Sequence, residues 1–268
     1  MTQTRIISGI GISIPRYGKY ISPSPPPLPQ DFDILSENEN EITFWYDGDW
    51  VTYGIVNGQT GTKWMDRNLG ASRVAQGIDD ELAYGDVYQW GRFKDGHEKR
   101  NSETTFIIST SDTPEHGGFI INTDSTTYKD WRTPQNSELW QPNTRTNIIA
   151  PNGWRIPTYP EFLAERDSWA FPKSEDAFWS DLKLPSPGGR ENNGNFGGMG
   201  NSGAYWTSTL GGTNSGALNF SITGLNLMSS IFRAFVLPIR LIKDQKFYET
   251  TEDGKVLITE DNKIIIKE

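Results

Sequence analysis

Carboxylates are the most abundant side chains in this chain that could carry chemistry. The sequence has 34 Asp and Glu residues, two His (His97 and His116) and no Cys. The lack of Cys excludes disulfides, thiolate metal sites and nucleophilic cysteine chemistry. Two His leave little material for a transition-metal site or a catalytic triad. We therefore predict a protein that is not an enzyme and has no catalytic residues, no metal site and no cofactor.

Some of the acidic residues have the ligand type that a hard cation prefers. These are Asp86, Asp95, Glu98, Glu115 and Asp130. A nearby triplet, Gln141-Pro142-Asn143, is similar to the sugar-coordinating triplet of calcium lectins. The spacing lacks a complete calcium-loop pattern, so a calcium-dependent sugar site stays an alternative only. A glycosidase-like carboxylate pair is a second open alternative, because carboxylates are plentiful.

The two histidines are predicted to hold loops in place. His97 lies in Asp95-Gly96-His97-Glu98, and His116 precedes Gly117-Gly118. Neither has a second His at helical spacing, which a metal site on a helix would require.

The segment 205–233 is the better candidate for a binding surface. Small amide and hydroxyl side chains interrupt its short strands, and they offer donors and acceptors without charge, which suits glycans or varied protein surfaces. The candidate ligand-binding residues are Tyr205, Thr207, Ser208, Asn214, Asn219, Asn226, Ser229 and Ser230. The alternative is a set of solvated loops without a ligand.

The elements that must position these residues are mostly short strands. Alternation and strand propensity predict strands over 42–46, 50–56, 119–122, 217–222 and 235–242. Capping residues predict short helices over 158–168 and 174–182. The glycine-rich stretch 188–200 is predicted to be a long exposed loop, because it lacks the Lys and flanking elements of a phosphate-binding loop. The predicted fold class is α+β, irregular and loop-rich.

Composition divides the chain into four parts. Residues 1–22 are predicted to be an extended anchoring arm, and 23–41 a Pro-rich linker, a spacer rather than an SH3-type ligand. The globular domain is assigned to 42–243 and a C-terminal β-repeat or hairpin to 244–268, where an eight-residue unit beginning Thr-Glu-Asp occurs twice. The net charge of -9 and the lack of a long apolar stretch predict no nucleic-acid partner and no membrane association.

Five motifs carry a resemblance to a known family. They are Gly-Thr-Lys-Trp-Met-Asp-Arg-Asn-Leu-Gly-Ala (61–71), Ala-Tyr-Gly-Asp-Val-Tyr-Gln-Trp-Gly-Arg (83–92), Asn-Gly-Trp-Arg-Ile-Pro-Thr (152–158), Gly-Ala-Tyr-Trp-Thr-Ser-Thr (203–209) and Phe-Arg-Ala-Phe-Val-Leu-Pro-Ile-Arg (232–240). In this order they resemble the Fibrobacter succinogenes major paralogous domain family, over about three quarters of the chain. The resemblance implies a C-type-lectin-like fold, related to formylglycine-generating enzymes, with its ligand face in the C-terminal stretch.

The departures from the family are also informative. Relatives often carry Cys before the Gly-Trp-Arg motif and after the final Val-Arg, whereas this chain has Ala150-Pro151 and Leu241 there. We therefore expect apolar packing in place of a thiol pair. The formylglycine-generating relatives work through cysteines, so their catalysis does not carry over. The motif tryptophans Trp64, Trp90, Trp154 and Trp206 are predicted to be core rings bonded to loop carbonyls rather than a sugar-stacking platform, with Arg67, Arg92 and Arg155 pinning backbone.

The functional hypothesis is a bacteriophage virion protein, a head or tail fibre or decoration subunit. It would assemble in the host cytoplasm, contact other virion structural proteins and bind host-surface or environmental glycans. Virion proteins need neither disulfides nor an export signal, and no signal peptide is recognised in this sequence. The terminal segments favour a homo-oligomer, with a trimer preferred. The alternatives are a cement protein without a ligand and a bacterial surface adhesin.

Overall fold

Short strands dominate the structure, a computed structural model that describes residues 28–127, 129–224 and 229–244 and three further strands near the C-terminus. The strands are β1 (Ile34–Glu37), β2 (Glu41–Tyr46), β3 (Asp49–Asn57), β4 (Lys63–Met65), β5 (Val87–Gln89), β6 (Thr104–Thr105), β7 (Phe119–Ile120), β8 (Trp154–Arg155), β9 (Pro187–Arg190), β10 (Phe196–Met199), β11 (Ser202–Gly211), β12 (Asn214–Ser221), β13 (Ser229–Ile231), β14 (Val236–Pro238), β15 (Ile242–Lys243), β16 (Tyr248–Thr250), β17 (Val256–Glu260) and β18 (Lys263–Ile266). The α-helices in the described ranges are α1 (Tyr159–Asp167) and α2 (Ser174–Trp179). Neither helix has the length and apolar character needed to cross a membrane. The predicted α+β, loop-rich class is confirmed.

The first sheet joins the beginning and the end of the domain. Its order is β1-β2-β3-β4-β15-β8. The β2 strand alternates as predicted, with Ile42, Phe44 and Tyr46 buried. Asp47 and Gly48 both have positive φ and connect β2 to β3 in a two-residue turn, the geometry that matches the twist of a hairpin. The β15 strand pairs with β4 and β8, which brings the two ends of the domain together.

The second sheet carries the segment predicted to bind a ligand. Its order is β13-β12-β11-β9-β14-β5, and β10 pairs with β9 beside this path. The longest pairing is the antiparallel β11–β12 hairpin. The predicted strand over 119–122 is limited to β7, and the one over 235–242 is split into β14 and β15, which lie in different sheets.

The helices follow the capping signals. Helix α1, with its two capping residues, matches the predicted range. Its start is fixed by a capping box, in which Glu161 Oε2 accepts from the Thr158 backbone N–H at 2.7 Å and from the Thr158 hydroxyl at 2.8 Å. Helix α2 begins at Ser174 as predicted but ends at Trp179, short of the predicted residue 182. Ser180 is extended, and its hydroxyl donates to the Ala177 carbonyl at 2.6 Å, which satisfies an acceptor at the end of the helix.

The core depends on large aromatic rings. Six tryptophans are fully buried: Trp64, Trp90, Trp131, Trp140, Trp154 and Trp206. Ala150 and Leu241, at the positions where relatives often have Cys, are both buried and belong to one hydrophobic cluster. The apolar packing expected there is confirmed.

The packed domain extends beyond the residues assigned to it from the sequence. Strand β1 lies within the predicted linker yet pairs with β2, and Phe32 packs in the main core cluster, so the predicted linker is too long at its C-terminal end. At the other end, β17 and β18 form the predicted hairpin, and β16 adds a third antiparallel strand. The predicted arm, 1–22, and the linker residues 23–27 lie outside the described residues.

Candidate functional site

Three of the predicted ligand-binding residues are part of the core. Tyr205, Thr207 and Ser208 are 0%, 0% and 2% exposed. Their hydroxyls donate to backbone carbonyls: Tyr205 to Pro185 at 2.8 Å, Thr207 to Gly216 at 2.8 Å and Ser208 to Pro157 at 3.4 Å. The placement of these three on a binding surface is therefore wrong, because the middle of β11 is covered on both faces and its hydroxyls hold neighbouring segments.

Two other predicted residues lie together at the end of the β11–β12 hairpin. Asn214 is partly exposed, and its amide donates to the Ser230 carbonyl at 3.5 Å. Ser230 is exposed, and its hydroxyl donates to the Gly211 carbonyl at 3.4 Å. Ser229 lies beside them on β13, whereas Asn226 lies outside the described residues. Asn214 and Ser230 thus remain available at the surface.

Asn219 lines a cleft of about 300 Å³ on the second sheet. The other polar side chains of the cleft are Glu191 and Ser202, and its apolar walls include Ile231, Phe235 and Leu237. A volume near 300 Å³ is at the lower end of the range for small-molecule sites. The cleft therefore combines a few polar groups with apolar walls, as ligand sites commonly do.

The glycine-rich stretch forms part of this cleft instead of the predicted exposed loop. Strands β9 and β10 pair antiparallel, with Phe196 opposite Arg190 and Met199 opposite Pro187. Gly188 has a φ of 60°, and a Cβ there would collide with the Gly197 carbonyl across the hairpin. The loop prediction is wrong because glycine permits a close backbone pairing that leaves no side-chain pattern in the sequence.

The acidic residues considered as cation ligands are not gathered into one site. Within the described residues, the close group of metal-ligand types is Asp95, His97 and Glu98. His97 Nε2 accepts from the Gln89 N–H at 3.1 Å, and His97 Nδ1 lies 2.7 Å from Asp95 Oδ1. Glu98 accepts from the Gly96 N–H at 2.7 Å. Both ring nitrogens are thus occupied, and the predicted role of His97 in holding a loop is confirmed.

The other carboxylates have separate surroundings. Asp86 accepts from the Tyr46 hydroxyl at 2.6 Å and from Lys99 at 2.8 Å. Asp130 is buried near Arg233, and Glu115 is exposed. These contacts support structural roles rather than shared coordination of a cation.

The motif tryptophans are core rings. Trp64, Trp90, Trp154 and Trp206 are all fully buried, so the predicted core role is confirmed. The indoles of Trp90 and Trp206 donate to backbone carbonyls, as expected. Trp154 instead donates to Glu37 at 3.3 Å. Arg92 pins backbone as predicted, through the carbonyls of His116 and Gly118.

Acid should weaken the fold through His97. Burial and the nearby Arg92 lower the pKa of His97 from its usual 6.5. The unfolded chain then binds the proton more tightly, so the stability that His97 contributes is complete above about pH 6.5 and is lost as the pH falls. His97→Gln keeps an acceptor and a donor without titrating. We expect the wild type to lose more unfolding free energy than this variant between about pH 7.5 and pH 5, measured by urea denaturation. Parallel profiles would contradict the assignment.

Comparison with known proteins gives no relative from which a function follows. No family model, no curated protein and no solved structure matches this chain.

Proposed function

We propose that this chain is a binding and display protein and that the cleft lined by Asn219 holds its ligand. The observation that carries the proposal is the cleft's composition. Among the described residues that line it, Glu191 is the one acidic side chain. A glycosidase site normally needs two carboxyl groups on either side of the scissile bond. One carboxylate beside an amide, a hydroxyl and apolar walls suits recognition rather than hydrolysis.

The chemistry of the cleft suits a glycan. Asn219 and Ser202 line the cleft with uncharged polar side chains, the type that suits sugar hydroxyls. Phe235, which is partly buried, offers apolar surface for the C–H face of a sugar ring. Asn214 on β12 and Ser230 on the neighbouring β13 are further polar groups at the surface, near the end of the hairpin.

We also propose that the domain has a C-type-lectin-like arrangement. Support comes from contacts between the sequence motifs that carry the family resemblance. Arg240 in the last motif donates to Asn68 Oδ1 in the first, at 3.1 Å from Nε and 3.0 Å from Nη2. Trp206 in the fourth motif donates to the Tyr88 carbonyl in the second at 2.7 Å. Strand β15 pairs with β4, in the first motif, and with β8, in the third motif. This pairing joins the beginning and the end of the domain.

The proposed setting is a bacteriophage virion, in a fibre or decoration subunit that presents the domain to host-surface or environmental glycans. The core is built from rings and buried arginines without any Cys, which suits assembly in a reducing cytoplasm. Electron microscopy of virions labelled for this chain tests the setting directly. Failure to find the chain on any particle, together with its presence on a bacterial surface, would favour the adhesin alternative.

A glycan array tests the binding proposal. We expect reproducible binding of a restricted set of sugars by the wild-type protein. Asn219→Ala should weaken it about tenfold, because loss of one ligand hydrogen bond costs about 1.4 kcal/mol. The double variant Asn214→Ala/Asn219→Ala should weaken it further if the hairpin end also contacts the sugar.

Asn40→Ala is the matched control, because Asn40 is an exposed asparagine beside β1 in the other sheet. It should bind as the wild type does. If the protein binds no sugar on the array but associates tightly with capsids or tails, the cement alternative is supported. Sustained release of sugar products would contradict the prediction that the protein is not an enzyme.

A further inference from the structure

Asp130 is a fully buried residue, and its partners offset the negative charge of its carboxylate only in part. Its side chain is 1% exposed. The Arg233 guanidinium lies 3.8 Å away, beyond hydrogen-bonding distance. The Asp130 carboxylate accepts from the Gln135 amide at 3.0 Å and from the Arg132 N–H at 3.4 Å. A buried carboxylate with a distant counter-ion and neutral donors is costly to ionise.

The same group is tied to the end of the β11–β12 hairpin. Gln135 Nε2 donates both to Asp130 Oδ2 and, at 2.8 Å, to the carbonyl of Thr213. On the other side, the Ala234 N–H donates to the Lys129 carbonyl at 3.0 Å, next to Asp130 in the chain. Asp130 therefore lies between the β11–β12 turn and the segment that follows β13.

We propose that Asp130 is a proton-sensitive clamp, which holds the β11–β12 turn more tightly when its carboxyl is protonated. The charged groups around it are Arg233 from the segment between β13 and β14, and Lys129 and Arg132 from its own loop. Lys129 is engaged with the ring of Phe232, and Arg132 pairs with Asp112 at 3.3 Å. The two cations of the loop thus have partners other than the Asp130 carboxylate.

The direction of the effect follows from linkage. Burial raises the pKa of Asp130 from 3.8 to about 6, against the opposing attraction of Arg233. A local opening that exposes Asp130 to water restores a pKa near the ordinary value. Protons therefore bind the closed form more tightly, and the closed form gains stability as the pH falls through 6. Ionisation above that pH loosens the clamp. This inference concerns the fold and does not depend on which ligand the protein binds.

Amide hydrogen exchange, expressed as protection factors to remove the intrinsic pH effect, tests the clamp. At the hairpin end (211–216) and around Ala234, protection should be about tenfold higher at about pH 5 than at about pH 7.5. Asp130→Asn should abolish this difference. In Gln135→Leu, the difference in protection between the two pH values should disappear at the hairpin end and remain at Ala234. The exposed Asp79→Asn should behave as the wild type does.

Equal protection at both pH values in the wild type would overturn the proposal, as would an unchanged pH effect in Asp130→Asn. If Asp130→Asn does not fold, a carbon NMR titration of the wild-type Asp130 carboxyl decides. A transition near pH 6 supports the clamp, and a transition near the ordinary value of 3.8 overturns it.

Discussion

Arg240→Ala should lower the free energy of unfolding by about 4 kcal/mol, which is more than we expect for the substitution of any exposed residue in this chain. The Arg240 side chain is 1% exposed, and no carboxylate of the described residues forms an ion pair with it. Its guanidinium donates to Asn68 Oδ1, to the Met65 carbonyl at 3.3 Å and to the Leu182 carbonyl. Removing it leaves these buried acceptors without a donor and creates a cavity. Chemical denaturation monitored by tryptophan fluorescence measures the loss.

Burial disfavours the charged form of the guanidinium and lowers the pKa of Arg240 to about 10. Arg73→Ala is the matched control, because the Arg73 side chain is 42% exposed and its ion pair with Asp80 is open to solvent on the arginine side. Solvent screens an ion pair of this kind, so the loss should be much smaller than that of Arg240→Ala. Losses of similar size in the two variants would show that Arg240 does not hold the segments together. Arg240→Lys should be intermediate, because an ammonium group cannot reproduce the planar set of donors.

The elements with strong local signals could be predicted from the sequence alone. Strand β2 alternates apolar and polar residues, and helix α1 begins at a capping box, so each carries its own evidence within a few residues. The β9–β10 hairpin has no such pattern. Its glycines have no side chains to alternate, and its existence depends on pairing with strands far away in the chain.

The candidate site could be predicted only in part for a related reason. The polar pattern of 205–233 includes Asn214 and Ser230, which lie at the surface, and Asn219, which lines the cleft, but it also includes hydroxyl groups that are buried. A hydroxyl in a strand indicates a surface only when one face of the strand meets water, and β11 is covered on both faces in its middle. Glu191 and Ser202 were missed because the sheet topology, not the sequence, brings them to the cleft.

Two motif tryptophans connect β5 and β11, which are not neighbours in the second sheet. Trp90 follows β5 and donates to the Thr207 carbonyl on β11 at 2.9 Å. Trp206 on β11 donates to the Tyr88 carbonyl on β5 at 2.7 Å. The bonds are reciprocal, and the Arg233 guanidinium covers the Trp90 ring at 4.5 Å. The pair therefore fixes the second and fourth sequence motifs to each other.

We expect Trp206→Ala to cost about 4 kcal/mol and to lower the melting temperature by roughly 10 °C, because it leaves a large cavity and removes the donor to Tyr88. Trp206→Phe should cost about 2 kcal/mol, since a ring remains but the carbonyl loses its partner. Trp179→Ala is the control: Trp179 is 72% exposed, so its loss should change stability little. Calorimetry of the three variants measures the series. If Trp206→Phe proves as stable as the wild type, the indole hydrogen bond does not hold β5 to β11.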